Sequence, residues 1–242
     1  MHHIWGVLVI LVTLTFQSLP GALASDPCDE LTRDERRALA VQWIDQLAEN
    51  GMIIVLESNR RQIEYLSSLV DNSAQRTDRQ IKRDQEKLKE LEYSTRKRAL
   101  NSMKAFEDHF DFAKVFFIWD YNLPHVRSNP DTALFLDRDL ELNTEISLHS
   151  TDDVFFLVGG RVPQSRGSGL EAYMVGNQEY RYLCPPFPYY VGRNNNWFLN
   201  ALISVFIPDA YDERSLIRIA ELFQENFKNF TDSNTYKLFS SD

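Results

Sequence analysis

Three runs of consecutive apolar residues limit what this chain can become: Met52-Ile53-Ile54-Val55-Leu56, Val115-Phe116-Phe117-Ile118-Trp119 and Val154-Phe155-Phe156-Leu157-Val158. They are too short for stable helices and rich in β-branched and aromatic side chains. A strand with one wet face alternates polar and apolar residues, whereas these runs are apolar throughout. Such strands need cover on both sides. The sequence therefore predicts an α/β fold, a mixed β-sheet flanked by helices.

Helical patterns supply the cover. Thr32 with Glu35 three residues on is a capping box, Leu39, Trp43 and Leu47 share one face, and Asn50-Gly51 stops the helix. After the first strand, Ser58 or Asn59 caps a helix with Ile63, Leu66 and Val70 inward, interrupted at Asp71-Asn72-Ser73. A longer helix follows, with Ile81, Leu88, Leu91, Leu100, Met103 and Phe106 on one side. Apolar residues are sparse between Ser73 and Arg98. The excursion over about 59–110 therefore reads as a charged helical hairpin projecting from the domain. Leu134-Phe135-Leu136 is a candidate short strand, and Gly159-Gly160 opens a loop running to Gly169. Leu170–Val175 and Tyr180–Leu183 read as a β-hairpin turned at Gly176-Asn177. Asp212 caps a last helix presenting Leu216, Ile219, Phe223 and Phe227. The order of elements is thioredoxin-like, an analogy that carries no function.

The first 24 residues read as an export signal. An uncharged apolar run from Ile4 to Phe16 precedes Pro20-Gly21 and the small-residue pattern Ala22-Leu23-Ala24, while the amino-terminal flank holds His2 and His3 but no Lys or Arg. The run is shorter than the roughly 20 residues a bilayer-spanning helix needs. Cleavage is expected, leaving 25–242 as a single α/β domain, periplasmic or extracellular, with no membrane span. The formal charge is −9. That acidity excludes nucleic acid as the main partner, because phosphate backbones demand clustered positive charge. The basic stretch from Arg76 to Arg98 is interleaved with Asp78, Asp84, Glu86, Glu90 and Glu92, as on a solvated helix face. Cys28 and Cys184 are the only cysteines. In an oxidising compartment one disulfide is the economical pairing, with two buried free thiols as the alternative.

Two segments carry a resemblance. Phe187-Pro188-Tyr189-Tyr190-Val191, and Phe110-Asp111-Phe112 leading into Val115-Phe116-Phe117, resemble a group of exported bacterial proteins of no assigned activity. The likeness spans roughly residues 50–230. This chain has Ala113 where that group often carries Cys, and Val55 near a position where it often carries Arg. The resemblance implies location and fold, and no chemistry.

Three constellations are candidates for function. Glu57, Asp120 and Asp137 each follow an apolar run. Carboxylates gathered at strand ends can hold Mg²⁺ or Ca²⁺, as a divalent-metal-dependent hydrolase would. Alternatively, they cap helices or face water. Ser58-Asn59-Arg60-Arg61 joins a strand to a helix, where amides and guanidinium groups can take a small anion. Phe187, Tyr189, Tyr190 and Trp197 can contact a partner protein or a glycan, or else pack in the core. The Gly159 to Gly169 segment lacks the Lys-Ser/Thr ending of a phosphate-binding loop, and no G-x-S-x-G or zinc-ligand spacing occurs. No cofactor is expected. The leading expectation is an exported binding or assembly protein without catalysis, its partner another envelope or extracellular protein.

Overall fold

The computed structural model describes residues 27–72, 76–148, 153–162, 169–179, 182–192 and 208–240. The fold is α/β, with a five-stranded mixed sheet in the order β2-β1-β3-β4-β5. The strands are β1 (Met52–Leu56), β2 (Val115–Trp119), β3 (Phe155–Arg161), β4 (Glu171–Asn177) and β5 (Tyr190–Gly192). β1 lies between β2 and β3, parallel to both. β4 runs antiparallel to β3, and β5 antiparallel to β4.

Six α-helices accompany the sheet among the described residues: α1 (Arg33–Asn50), α2 (Arg60–Asp71), α3 (Asp78–His109), α4 (Leu123–Ser128), α5 (Pro208–Thr231) and α6 (Asn234–Phe239). The continuous apolar strands follow from cover on both faces. Ile54, Leu56, Phe117, Phe155 and Leu157 share a core with Trp43 and Leu47 of α1, Met103 and Phe106 of α3, and Phe223 and Phe227 of α5. Ile53, Ile118 and Phe156 point the other way, into a smaller core closed by Val126 of α4 and by Phe135.

α1 starts with the expected capping box: Glu35 N–H donates to Thr32 Oγ1 at 3.3 Å and Thr32 N–H to Glu35 Oε2 at 2.7 Å. It ends at Gly51, whose φ of +90° favours glycine, and where a Cβ would lie 2.7 Å from the Lys114 carbonyl oxygen. A second capping box, Thr77 with Gln80, starts α3. α2 and α3 form the hairpin, tied at its outer end by Arg76, which donates to the Leu69 carbonyl at 2.9 Å and pairs with buried Asp84. No side chain of α2 is buried. Cys28 and Cys184 form a disulfide with Cα atoms 5.7 Å apart, fastening the segment before α1 to the chain that follows β4.

Four local expectations are corrected. Gly159 and Gly160 lie within β3, because pairing with β4 carries the strand through to Arg161↔Glu171. Gly176 and Asn177 are strand residues opposite Phe156 and Phe155, so they make no turn, and the strand beside β4 is β5. Leu134–Leu136 is not a strand; Leu136 makes one isolated bridge to Leu142 and donates its N–H to Phe117 O at 2.9 Å, covering part of the β2 edge. α5 begins at Pro208, so Asp212 sits inside the helix rather than capping it.

Candidate functional site

Open α/β sheets place ligands outside the carboxyl ends of their strands, where successive connections diverge. Here the chain leaves β1 toward β2 through α2 and α3, and leaves β3 toward β4. The carboxyl ends of β1, β2 and β3 therefore border the candidate site.

On the β2 side lies a cleft of about 680 Å³ that includes Ser58, Arg60, Arg61, Gln62, Asp120 and Tyr121 in its lining. Ser58 donates to Asp120 Oδ1 from its hydroxyl at 2.5 Å and from its N–H at 3.3 Å. Its Oγ in turn accepts from Arg60 N–H at 3.3 Å. Asn59 occupies the position before α2 with φ of 50° and makes no side-chain cap; its amide donates instead to Thr95 Oγ1 of α3 at 2.9 Å. Arg60 Nε is 2.6 Å from Glu64 Oε1, and its guanidinium stacks over Tyr121 at 5.2 Å. The hydrogen bond and charge of Glu64 raise the Arg60 pKa above its ordinary value. The four residues of the expected anion site thus come together at one helix start. The chain's own Asp120 already accepts the Ser58 donors there, and Glu64 neutralises Arg60.

The carboxylate trio goes three ways. Glu57 Oε2 accepts from Arg98 of α3 at 3.0 Å. Asp120 accepts from Ser58. Asp137 Oδ1 accepts from the N–H groups of Asp139 and Glu141, both at 2.9 Å, and so builds its own turn. Among the described residues no group of three or more His, Cys, Asp or Glu side chains could hold a metal ion. Glu57, Asp120 and Asp137 thus each engage a different partner: Glu57 and Asp120 reach residues distant in sequence, and Asp137 stays within its own turn.

The aromatic segment is also resolved into separate roles. Phe187 and Tyr189 are buried, Phe187 with its ring 5.6 Å from that of Phe227 and 6.2 Å from that of Trp43. Neither is available to a partner. Tyr190 is 39 % exposed, and Trp197 lies outside the described residues.

At the outer end of the β3–β4 ladder, beside Glu57, a second cleft of about 280 Å³ is lined by Glu57, Gly159, Gly160, Arg161, Glu171, Ala172 and Tyr173. Sequence reasoning missed Arg98, Tyr121 and this glycine edge. Tyr121 directly follows Asp120, which was a usable signal. Arg98 was hidden in a stretch that reads as solvated, and its link to Glu57 spans the whole hairpin. Compared with known proteins, the chain matches no family model, no curated protein and no solved structure.

Proposed function

We propose that this is an exported binding or assembly protein that works by contact, with the α2–α3 hairpin as its contact arm. One observation carries the reading. α2 has its apolar residues Ile63, Leu66 and Val70 along one side, half-buried beside α3, and none of its side chains is fully buried. A helix with a one-sided apolar stripe normally buries it, and helix stability in proteins comes mainly from such packing. Between the two helices a groove of about 470 Å³ is lined by Tyr65, Leu66, Lys87, Leu91 and Ser94 among others. Tyr65 and Tyr93 are 62 % and 67 % exposed, and exposed aromatic side chains are favoured anchors in interfaces. The apolar leader and the Cys28–Cys184 bridge support an oxidising destination.

The test places a photo-crosslinking amino acid at Tyr65, at Tyr93, and at Leu238 of α6 as the control. Irradiation of the native producing cells is expected to give a discrete adduct from the two hairpin positions and none from Leu238. Equal or absent adducts at all three positions rule the contact arm out.

A further inference from the structure

Among the described residues, the outer half of β3 has an unpaired edge. Pairing between β1 and β3 stops at Ile54↔Leu157, whereas β3 continues to Arg161, held from its other side by β4. Gly159, Gly160 and Arg161 are exposed, and the 280 Å³ cleft opens along them. A strand edge left open presents a row of backbone N–H and C=O groups whose natural complement is another extended backbone.

The two glycines point the same way. Neither has a φ in the left-handed region. A Cβ on Gly159 would meet nothing nearer than Glu57 Oε1 at 3.5 Å, an ordinary contact, and one on Gly160 would meet only the flexible methyl end of Met174 at 3.0 Å. Internal packing therefore does not demand glycine at Gly159 and scarcely does at Gly160. A strand glycine often marks a bulge, a bend, or a site where a ligand or another backbone approaches closely, and the β3–β4 register runs through Gly159 and Gly160 without a bulge. Glu57 and Glu171 bring two carboxylates to the cleft, paired with Arg98 and Arg161 respectively. Arg98 takes Glu57 Oε2, while Oε1 is the oxygen turned toward Gly159. The chain's formal charge of −9 further favours a basic visitor.

We propose that the Gly159–Arg161 edge of β3 accepts an extended basic peptide of another protein as an added strand, with Glu57 Oε1 receiving a Lys or Arg side chain. This site is separate from the hairpin and stands or falls independently of it. A four-residue stretch along the 158–161 edge spans about 13 Å, so a six-residue peptide suffices as a probe.

The experiment follows amide hydrogen exchange at Gly159 and Arg161, the two residues whose N–H groups face the open edge rather than β4, in the whole protein. The probes are the peptide Thr-Val-Lys-Val-Thr-Val at millimolar concentration, its Glu-for-Lys counterpart, and a version with alternate amides N-methylated. The Lys peptide is expected to slow exchange at these amides about tenfold. The Glu peptide should do so less, and the N-methylated one not at all. Glu57→Gln should weaken the Lys peptide about two- to fivefold, as loss of one exposed ion pair implies. Unchanged exchange, or equal slowing by the N-methylated peptide, overturns the proposal. Slow exchange without peptide also overturns it: concentration dependence would assign the edge to a second copy, and its absence to cover from this chain itself.

Discussion

Phe187 shows how much a side chain's surroundings decide its role. Its ring lies against Trp43, Phe227 and Phe230, which joins three separate parts of the chain in one aromatic cluster. Phe187→Ala should therefore cost about 3–5 kcal/mol of stability, the range for emptying a buried aromatic site. Tyr190→Ala, three residues on and exposed, should stay within about 1 kcal/mol. Denaturant titration of the two variants decides the matter; near-equal losses would contradict the core assignment. Gln224 is another side chain with long reach. Its Oε1 accepts the N–H groups of Asp111 at 3.0 Å and Phe112 at 2.9 Å, pinning the entry to β2 onto α5.

The short helix α6 depends on few contacts, and one of them titrates. Tyr236 donates its hydroxyl to Asp45 of α1 at 2.7 Å. That bond, then burial, then the Asp45 charge raise the phenol pKa above its ordinary value. Because the folded state holds the proton more tightly, this contribution is complete below the unfolded phenol's pKa, about 10, and fades as pH rises through the higher folded value. Tyr236→Phe should cost about 1 kcal/mol near neutral pH. It should also flatten that part of the loss of stability above pH of about 10, measured by melting over an alkaline series. A variant with the wild-type alkaline slope would refute the coupling. Elements whose evidence is local were legible in advance: the Thr32–Glu35 box, the Gly51 stop, and the β1 and β2 runs. Elements defined by a distant partner were not. Gly159-Gly160 and Gly176-Asn177 carry strong local turn signals, and only the β3–β4 ladder overrides them.

For the molecule as a whole, the Cys28–Cys184 bridge closes most of the chain, with a sequence separation of 156. In the chain-entropy model a loop of that size stabilises by about 5 kcal/mol before strain is subtracted. Reduction, or replacement of both cysteines by alanine, should lower the unfolding free energy by about 2–5 kcal/mol. Denaturation of the oxidised and reduced protein checks this, and a difference under about 1 kcal/mol would deny the bridge a stabilising part. The candidate sites were legible only as residue types. Ser58 to Arg61 did come together at one helix start, but the Asp120 and Glu64 carboxylates that take up Ser58 and Arg60 were invisible without coordinates. Glu57 and Asp120 do follow strand ends, whereas Asp137 follows only an isolated bridge, and side-chain direction sent each acid to a different bond. One feature joins the arm to the interior: α3 is a single helix of 32 residues, with no glycine or proline from Asp78 to His109. At about 1.5 Å per residue it is a rod of roughly 48 Å, whose inner end carries Met103 and Phe106 under the sheet. A load applied near Arg79 thus has no glycine or proline joint at which to dissipate, and torque on the tip is passed along the rod to α5, the helix packed most closely against its inner length.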